Sequence, residues 1–261
     1  MKGFLEEYGL IIVVVAVILL MLLFGKTGYA KSIQDAILGS ADHIVETGEN
    51  ITKKEVNVTA GDTLDIEGTK YVVLEQKENS QALLMTVSSI GGREFQSTYN
   101  INTYLRHDGQ IANTYENSTN DNYLENDWYN SLSSAMKAAI QTTSIKQVSY
   151  ATDTDPDSKQ ETGYNGQVYN AINRHVFVPS VEEIGKIVDL KSPDIVKAFL
   201  NGTSIWTRDS YPRYAQYAMF LSDFDDSLST SVVSHTRGVR PAFVIDLSKV
   251  DYTEAGHIDY K

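Results

Sequence analysis

The chain has 261 residues, no cysteine and a formal net charge of −12 at pH 7. The missing cysteine excludes disulfides, thiolate zinc sites and cysteine nucleophiles. Acidic residues outnumber basic ones, and Lys and Arg form no cluster. Both features argue against binding to nucleic acid or to anionic lipid head groups. The length allows one large hydrophobic core or two small ones.

The first predicted element is a hydrophobic helix built on Leu10–Phe24, which contains no polar residue. As a helix this run would reach about 23 Å. That is short for a bilayer, whose hydrocarbon core is about 30 Å thick. A helix that is apolar all round must be buried in lipid or protein. Helical spacing continues over residues 33–45, and Gly48 is a natural stop. We therefore predict a stalk helix over residues 1–47 and a polar linker over 48–62.

Three interpretations of the N-terminal segment stay open. A secretory signal peptide would use Gly28-Tyr29-Ala30 as its cleavage site, but Glu6 and Glu7 outweigh Lys2 and leave the region before the apolar run without net positive charge. A plain membrane anchor is the second interpretation, with the acidic domain outside the cell. The third is a pilin-like stalk.

The third interpretation comes from the order Gly3, Glu6, Glu7-Tyr8 and then the apolar run. This order resembles the start of type IV pilins, most closely the short Flp (tight-adherence) pilins, although the Glu-Tyr pair lies one position nearer the glycine here. The resemblance implies that the helices pack into a filament core and that a glutamate pairs with a neighbouring subunit; alternatively, the glutamates only favour the helix N-terminus. The candidate assembly residues are Glu6, Glu7, Val14, Ala16, Leu20 and Phe24.

Beyond the linker, strand patterns begin. Thr63–Ile66 alternates, and the apolar segments Tyr71–Leu74 and Ala82–Val87 are joined by a polar stretch, which predicts a hairpin. Residues 91–122 are rich in Gly, Asn, Thr and Tyr and predict a long loop. A helix is predicted over Tyr123–Ile140, because apolar residues recur there in steps of four.

The C-terminal half combines short helices with strands. Residues 149–167 predict a surface loop, and Ser180 to Glu183 forms a capping box that opens a helix to about Val188. Ser192-Pro193 opens the next helix, which Asn201-Gly202 closes. The predicted strands are Val176–Val178, Ser204–Thr207, Ala218–Leu221, Ser231–Ser234 and Val239–Ile245. The order predicts an α+β fold, with a long N-terminal hydrophobic helix followed by a globular head of antiparallel strands and short helices over residues 63–261.

The head carries a second resemblance, on Trp206-Thr207-Arg208 and on Gly238 to Ala242. The order and spacing of elements over roughly residues 63–250 resemble an uncharacterised bacterial family of extracellular and mobile-element proteins. That family has a divergent C-type-lectin-like fold, which also contains formylglycine-generating enzymes and the variable proteins of diversity-generating retroelements. The resemblance implies a lectin-like head. It does not imply the enzyme activity, which needs cysteines that this chain lacks.

Catalytic and metal motifs are weak. The five histidines are scattered, without metal-ligand spacing or a nucleophile elbow, so we expect no enzyme activity and no cofactor. One acidic segment has the oxygen density of a calcium loop but lacks the EF-hand pattern, so calcium remains possible there. Its candidate ligands are Asp153, Asp155, Asp157 and Glu161. We expect Arg208 and Arg240 to form salt bridges inside the fold, with Asp209 or Asp246 as partners.

The segment from Asp209 to Thr236 predicts a loop that suits ligand contact, because aromatic area lies beside short polar side chains. The candidate ligand-face residues are Tyr211, Tyr214, Tyr217, Asp223 and Asp225. Together, the sequence predicts a subunit of an extracellular pilus-like filament that associates with itself through its N-terminal helices. The alternative is a membrane-anchored surface adhesin or receptor that binds a surface ligand or another cell. Either protein would lie at a bacterial cell surface and begin as a membrane-inserted precursor, with no nucleic acid partner.

Overall fold

Antiparallel β-sheets form the framework of the domain. A computed structural model of the chain describes residues 56–78, 80–148, 168–258 and 260–261. Contacts divide the chain between Lys54 and Glu55, and the described residues belong to the second unit. The strands are β1 Asp62–Ile66, β2 Thr69–Gln76, β3 Gln81–Thr86, β4 Gly92–Glu94, β5 Ile140–Gln141, β6 Thr143–Val148, β7 Val168–Arg174, β8 Ile205–Ser210, β9 Tyr217–Ser222, β10 Ser227–Val232, β11 Thr236–Gly238, β12 Ala242–Asp246 and β13 Thr253–His257.

Helices are short. A π-helix spans Tyr123–Trp128 and a 3-10 helix spans Leu247–Lys249. The α-helices are α1 Thr119–Asn122, α2 Tyr129–Ser131, α3 Ser134–Ala139, α4 Val181–Ile184 and α5 Pro193–Leu200.

The strands form a six-stranded sheet in the order β13-β1-β2-β3-β12-β5, a five-stranded sheet in the order β10-β9-β8-β11-β4, and the hairpin β6-β7. Between these described strands, pairing is antiparallel except for β8 and β11, which meet in parallel at Ile205 and Gly238. The predicted hairpin is confirmed: β2 pairs with β3, and Val72 lies opposite Met85. Four consecutive residues of β2, from Tyr71 to Leu74, are buried. A continuous apolar run of this kind is expected for a strand that is covered on both faces.

Edge-to-face aromatic contacts link the core. Trp206 packs against Phe95 and Phe220, with ring centroids 5.6 and 6.0 Å apart. Tyr71 packs against Phe243 at 5.3 Å. Such contacts add about 0.5–1.5 kcal/mol each beyond the area they bury. Strand β8, which carries Trp206, is therefore fixed in the middle of the five-stranded sheet.

The predicted α+β class is wrong for the described residues. Strands hold 38% of them and helices only 19%, so the domain is mainly β. Among them, no helix is both long and apolar enough to cross a membrane. The stalk helix predicted over residues 1–47 lies outside the described residues.

The continuous helix predicted over Tyr123–Ile140 is also wrong. Leu132 is extended, with ψ 156°, and the chain restarts as α3 with Ser133 as its N-cap. The serine-rich sequence around Leu132 favours a cap because short hydroxyl side chains bind backbone N–H groups better than they support a helix interior. Leu124 and Met136 are still buried, but they lie on separate helical pieces.

Helix starts were predicted better than helix lengths. The capping box is confirmed: the Glu183 N–H donates to Ser180 Oγ at 3.1 Å, and the Ser180 N–H donates to Glu183 Oε2 at 2.8 Å. Helix α4 ends at Ile184, before Gly185, instead of near Val188. Helix α5 begins at Pro193 and is closed by Asn201 in the left-handed conformation, as the sequence indicated.

Candidate functional site

An open groove of about 760 Å³ lies at one end of the five-stranded sheet. The loop before β8, the end of β9, the turn into β10, and strands β4 and β11 form its walls. Its lining is rich in glycine and hydroxyl groups, with two phenylalanines, two aspartates and one arginine. The lining residues are Ser89, Gly91, Gly92, Gly202, Thr203, Ser204, Phe220, Ser222, Asp223, Phe224, Asp225, Thr236, Arg237 and Gly238.

The turn between β9 and β10 forms one rim of the groove. Ser222 Oγ accepts the N–H groups of Phe224 at 3.3 Å and Asp225 at 3.1 Å. The Asp223 carboxylate accepts the Ser204 hydroxyl, and the Asp223 N–H donates to Ser204 Oγ at 3.0 Å. Phe224 is 92% exposed at the tip of this turn. The turn therefore exposes an aromatic side chain whose two sequence neighbours are aspartates, and the Ser204 and Ser222 hydroxyls bind both carboxylates.

Arg237 supplies positive charge inside the groove. Its guanidinium lies 4.8 Å from the centroid of the Phe220 ring, and Nη2 donates to Ser231 Oγ at 3.1 Å. Within the described part of the chain, no carboxylate forms an ion pair with it. Its Nη1 donates to the Thr236 carbonyl oxygen at 2.8 Å. The ring contact and these two hydrogen bonds hold the guanidinium in place, and its other N–H groups leave donor capacity for a ligand.

Two glycines let the groove walls close. A Cβ on Gly238 would lie 2.8 Å from Ser89 Oγ, and a Cβ on Gly92 would lie 2.7 Å from Thr236 Cγ2. A Cβ on Gly238 would also lie 2.9 Å from the Ser204 carbonyl oxygen, so a larger residue there would push β11 away from the loop before β8, whereas at Gly92 the Thr236 side chain would have to move. The wall geometry therefore depends on these glycines.

Residues 79–247 match a family described as a domain of unknown function, DUF6273. The chain belongs to this family. All the groove residues lie inside the matched segment, whereas β1, β2 and β13 lie outside it. No curated protein and no solved structure matches the chain. The DUF6273 match says nothing about pilins or lectin-like proteins, so both resemblances stay predictions.

The three predicted ligand-face tyrosines also lie within the DUF6273 segment, and the structure brings them together. The ring centroids of Tyr211, Tyr214 and Tyr217 are 5.7 to 6.4 Å apart. Asn113, which is buried, donates from Nδ2 to the carbonyl oxygens of all three, at 3.1, 3.1 and 2.8 Å. One amide from a distant loop thus fixes the connection from β8 to β9.

The tyrosines and the aspartates do not share one groove. Tyr217 begins β9, whereas Asp223 and Asp225 follow the end of that strand, so roughly 17 Å of extended backbone separates the two ends. The strand predicted at Ala218–Leu221 is confirmed within β9, and β10 occupies a further part of the segment from Asp209 to Thr236 that the composition predicts as a loop. The aspartates line the groove and the tyrosines do not.

Sequence reasoning missed Phe224, Arg237 and Asn113. Phe224 could have been selected from the sequence, because an aromatic residue between two aspartates in a turn belongs to no apolar helix or strand pattern. Arg237 and Asn113 carry no such signal, because their partners are brought to them by the fold.

The remaining predicted site residues lie outside the described residues. They are the assembly residues Glu6, Glu7, Val14, Ala16, Leu20 and Phe24 and the calcium candidates Asp153, Asp155, Asp157 and Glu161. Within residues 56–78, 80–148, 168–258 and 260–261, no three His, Asp or Glu side chains converge as a metal site would require.

The buried arginines differ from prediction. Arg208 forms the expected internal salt bridge, but its partner is Glu183, with both guanidinium Nη atoms on the carboxylate at 2.6 and 2.7 Å. Arg240 was expected to pair with an aspartate and instead donates to the carbonyl oxygens of Phe199 and Leu200 at 3.0 and 3.2 Å. The salt-bridge prediction for Arg240 is therefore wrong, because the end of α5 supplies its acceptors.

Proposed function

We propose that the chain is a surface adhesin or receptor whose β-rich domain binds a neutral carbohydrate in the groove. The observation that carries the proposal is the groove lining, which combines the exposed side chain of Phe224, its sequence neighbours Asp223 and Asp225, and Arg237. Binding sites commonly combine apolar area with a few fixed polar groups that set orientation.

The chemistry of the lining suits a sugar ring. A pyranose offers an apolar C–H face, which an exposed aromatic ring can cover, and hydroxyl groups around its edge. The carboxylates of Asp223 and Asp225 accept hydrogen bonds from such hydroxyls, and charge-assisted bonds of this kind are the strong ones. Arg237 and the groove hydroxyls supply donors.

Charge decides between neutral and anionic ligands. The groove holds two carboxylates and one guanidinium, and the whole chain carries −12. A polyanion would be repelled over the length of the surface. A neutral saccharide avoids this repulsion and still uses each polar group.

The surface location rests on the sequence. Leu10–Phe24 is uncharged and apolar, and a segment of that composition suits attachment to a membrane. The filament interpretation depends on residues 3–24, outside the described residues, and stays a prediction beside the adhesin interpretation.

The test is binding of the full chain, purified in detergent, to an array of immobilised neutral glycans. We expect a defined subset of glycans to bind, and we expect Phe224→Ala to weaken that binding at least about fivefold, since loss of a contact anchor costs more than about 1 kcal/mol. Asp223→Asn should weaken it about 10–100-fold, because hydrogen bonds to charged groups are worth about 1.5–3 kcal/mol.

Matched controls lie on the same domain. Ile101→Ala removes another large exposed apolar side chain, and Asp127→Asn removes another exposed carboxylate, both outside the groove. Both variants should bind as the unaltered chain does. Equal losses from the groove variants and the controls, or no glycan bound at all, would overturn the proposal.

A further inference from the structure

A second polar cluster lies away from the groove, around the side chain of His175. Its Nδ1 lies 2.7 Å from Glu125 Oε1, and its Nε2 lies 3.1 Å from Thr142 Oγ1. The three residues are separated by 17 and 33 positions in the chain, so only the fold brings them together. None of them lines the groove.

The contacts fix the tautomer of the imidazole. A carboxylate only accepts hydrogen bonds, so Nδ1 must carry the proton that it donates to Glu125. In the neutral imidazole, Nε2 then has a free lone pair that accepts the hydroxyl proton of Thr142. A hydroxyl, an imidazole and a carboxylate in this order form the nucleophile, base and orienting acid of an acyl-transfer triad.

The scaffold holds the imidazole from several sides. Glu125 Oε2 also accepts the backbone N–H groups of His175 at 2.9 Å and Val176 at 3.2 Å. The Tyr129 ring stacks on the imidazole with centroids 4.4 Å apart and planes 12° apart. A base held in this way loses little orientational freedom when it reacts.

The helix that supplies two of these contacts is unusual. Glu125 lies within the π-helix Tyr123–Trp128, and Tyr129 follows directly in α2. Residues four apart point to one side of a helix, so both side chains reach His175. π-helices are rare, and they occur frequently at functional sites.

The cluster is open to a reactant. Thr142 is exposed between β5 and β6, and a third of the His175 side chain is accessible to solvent. In a purely structural role, Glu125 would tie the end of β7 to the π-helix. That role explains the backbone contacts of Glu125, but it does not require the hydroxyl of Thr142 on Nε2.

We propose that Thr142, His175 and Glu125 form an acyl-transfer site that cleaves acyl esters. Thr142 Oγ1 bonds to the ester carbonyl carbon while its proton passes to His175 Nε2. The bond from that carbon to the alcohol oxygen breaks, and His175 returns the proton to the departing alcohol, which leaves an acyl-Thr142 ester. Water then attacks the acyl carbon with loss of a proton to His175, and collapse releases the carboxylic acid and restores the Thr142 hydroxyl. Glu125 is a positioning residue, which holds the tautomer and stabilises the imidazolium.

The test uses the full chain in detergent with p-nitrophenyl acetate as the probe. We expect release of p-nitrophenol and an acetyl group on the peptide that contains Thr142, seen by mass spectrometry after an acid quench. Thr142→Val and His175→Gln should each lower kcat/KM at least about 100-fold, the usual contribution of a positioned general base. Thr142→Ser, which keeps a hydroxyl, should retain activity.

Thr143 supplies the matched control, since its hydroxyl donates to the Gln141 carbonyl oxygen and does not contact His175. Thr143→Val should keep full activity. Hydrolysis unchanged in Thr142→Val, acetyl groups only on other residues, or no hydrolysis above buffer would each overturn the proposal. Thr142 is exposed, so its substitution should not alter the melting temperature, and a loss of activity there cannot come from unfolding.

The role of Glu125 is tested by a measurement whose result would not change if Glu125 were only structural. Glu125→Gln keeps an acceptor oxygen for the two backbone N–H groups but removes the carboxylate that selects the Nδ1–H tautomer. We expect kcat to fall with KM retained, and the ¹⁵N chemical shifts of His175 to report loss of the Nδ1–H form. Unchanged shifts together with unchanged kcat would remove Glu125 from the site.

Discussion

Arg208 and Arg240 are both buried arginines, but the fold stabilises their charges in different ways. Only 4% of the surface of each residue is exposed to solvent. Arg208 faces a carboxylate, since Glu183 meets it in a two-point contact, and it also donates to the carbonyl oxygens of Lys146 and Val178. Arg240 faces the last carbonyl oxygens of α5 and the Phe199 ring, 4.7 Å from its guanidinium. Burying either guanidinium costs solvation free energy. An opposing charge offsets that cost at Arg208, and the carbonyl oxygens of a helix terminus offset it at Arg240.

The pKa directions follow the same difference. Burial alone would lower the pKa of both guanidinium groups. For Arg208, the Glu183 carboxylate outweighs burial and raises the pKa above its ordinary value. For Arg240, burial dominates and lowers the pKa to about 10. Among the described residues, only the charge of Tyr260 opposes this lowering, and it compensates for burial only in part.

The largest expected effect comes from removing the carboxylate partner. Glu183→Ala leaves Arg208 charged and unpaired in the core and also removes half of the capping box at Ser180. We expect the free energy of unfolding to fall by about 3–5 kcal/mol, as for other broken buried pairs, measured by urea denaturation.

Glu182 provides the control for that substitution. It is the neighbouring exposed glutamate in the same helical turn, so Glu182→Ala should cost less than about 1 kcal/mol. A loss below about 1 kcal/mol for Glu183→Ala as well would mean that the buried pair contributes no more than a surface charge.

Asp209 sharpens the comparison by adding a carboxyl beside the Arg208 pair. It is buried and accepts the Val181 N–H at 2.7 Å. Burial raises its pKa from 3.8 to about 6, against the lowering effect of Arg208. Between about pH 4 and pH 6 the folded chain therefore keeps a proton that the unfolded chain has lost, and stability falls as pH rises through this range. At 1.36 kcal/mol per pKa unit, the loss is about 3 kcal/mol at most.

Asp209→Asn removes that titration and keeps an oxygen for the Val181 N–H. The stability of the variant relative to the unaltered chain should rise by up to about 3 kcal/mol from pH 3.5 to pH 7, with urea denaturation at several pH values as the measurement. Other shifted carboxyls are present in both proteins and cancel in the difference. A difference that stays constant with pH would show that folding leaves the pKa of Asp209 near its ordinary value of 3.8.

The same residues show how far the sequence could predict the fold. Local signals succeeded: the capping box at Ser180 and the end of α5 at Asn201 depend on neighbours within a few positions. The ion-pair partner of Arg208 was missed because Glu183 already had a local role and lies 25 residues away. The hydrophobic steps of four around Leu132 indicated one helix, but the serines that flank it provided a cap that was energetically better than another helical turn.

The candidate sites show the same limit. Asp223 and Asp225 could be selected from composition, and they do line the groove. Their separation from Tyr217 could not be foreseen, since it depends on β9 being a full strand. The contact of His175 with Thr142 and Glu125 had no signal in the sequence, because no spacing rule connects residues from three different elements.

The smallest expected effect is at Arg240, where no carboxylate is left behind when the charge is removed. Arg240→Met replaces the guanidinium with an apolar chain of similar length, so the desolvation cost of the charge disappears together with its hydrogen bonds. The Phe199 and Leu200 carbonyl oxygens lose a donor at the C-terminus of α5, which is worth up to about 2 kcal/mol in a partly buried geometry. The orphaned Nε of Arg240, which has no hydrogen-bond partner among the described residues, no longer costs anything. These terms oppose each other, so we expect a net loss of about 1 kcal/mol in urea denaturation.

Arg208→Met is the matched substitution, because it removes the same side chain at the same burial but leaves the Glu183 carboxylate unpaired. It should cost about 3–5 kcal/mol, several times the loss at Arg240. If the two methionine variants lose equal stability, the helix terminus compensates a buried charge as fully as a carboxylate does. In that case the contrast between the two arginines would lie only in their geometry and not in their energetics.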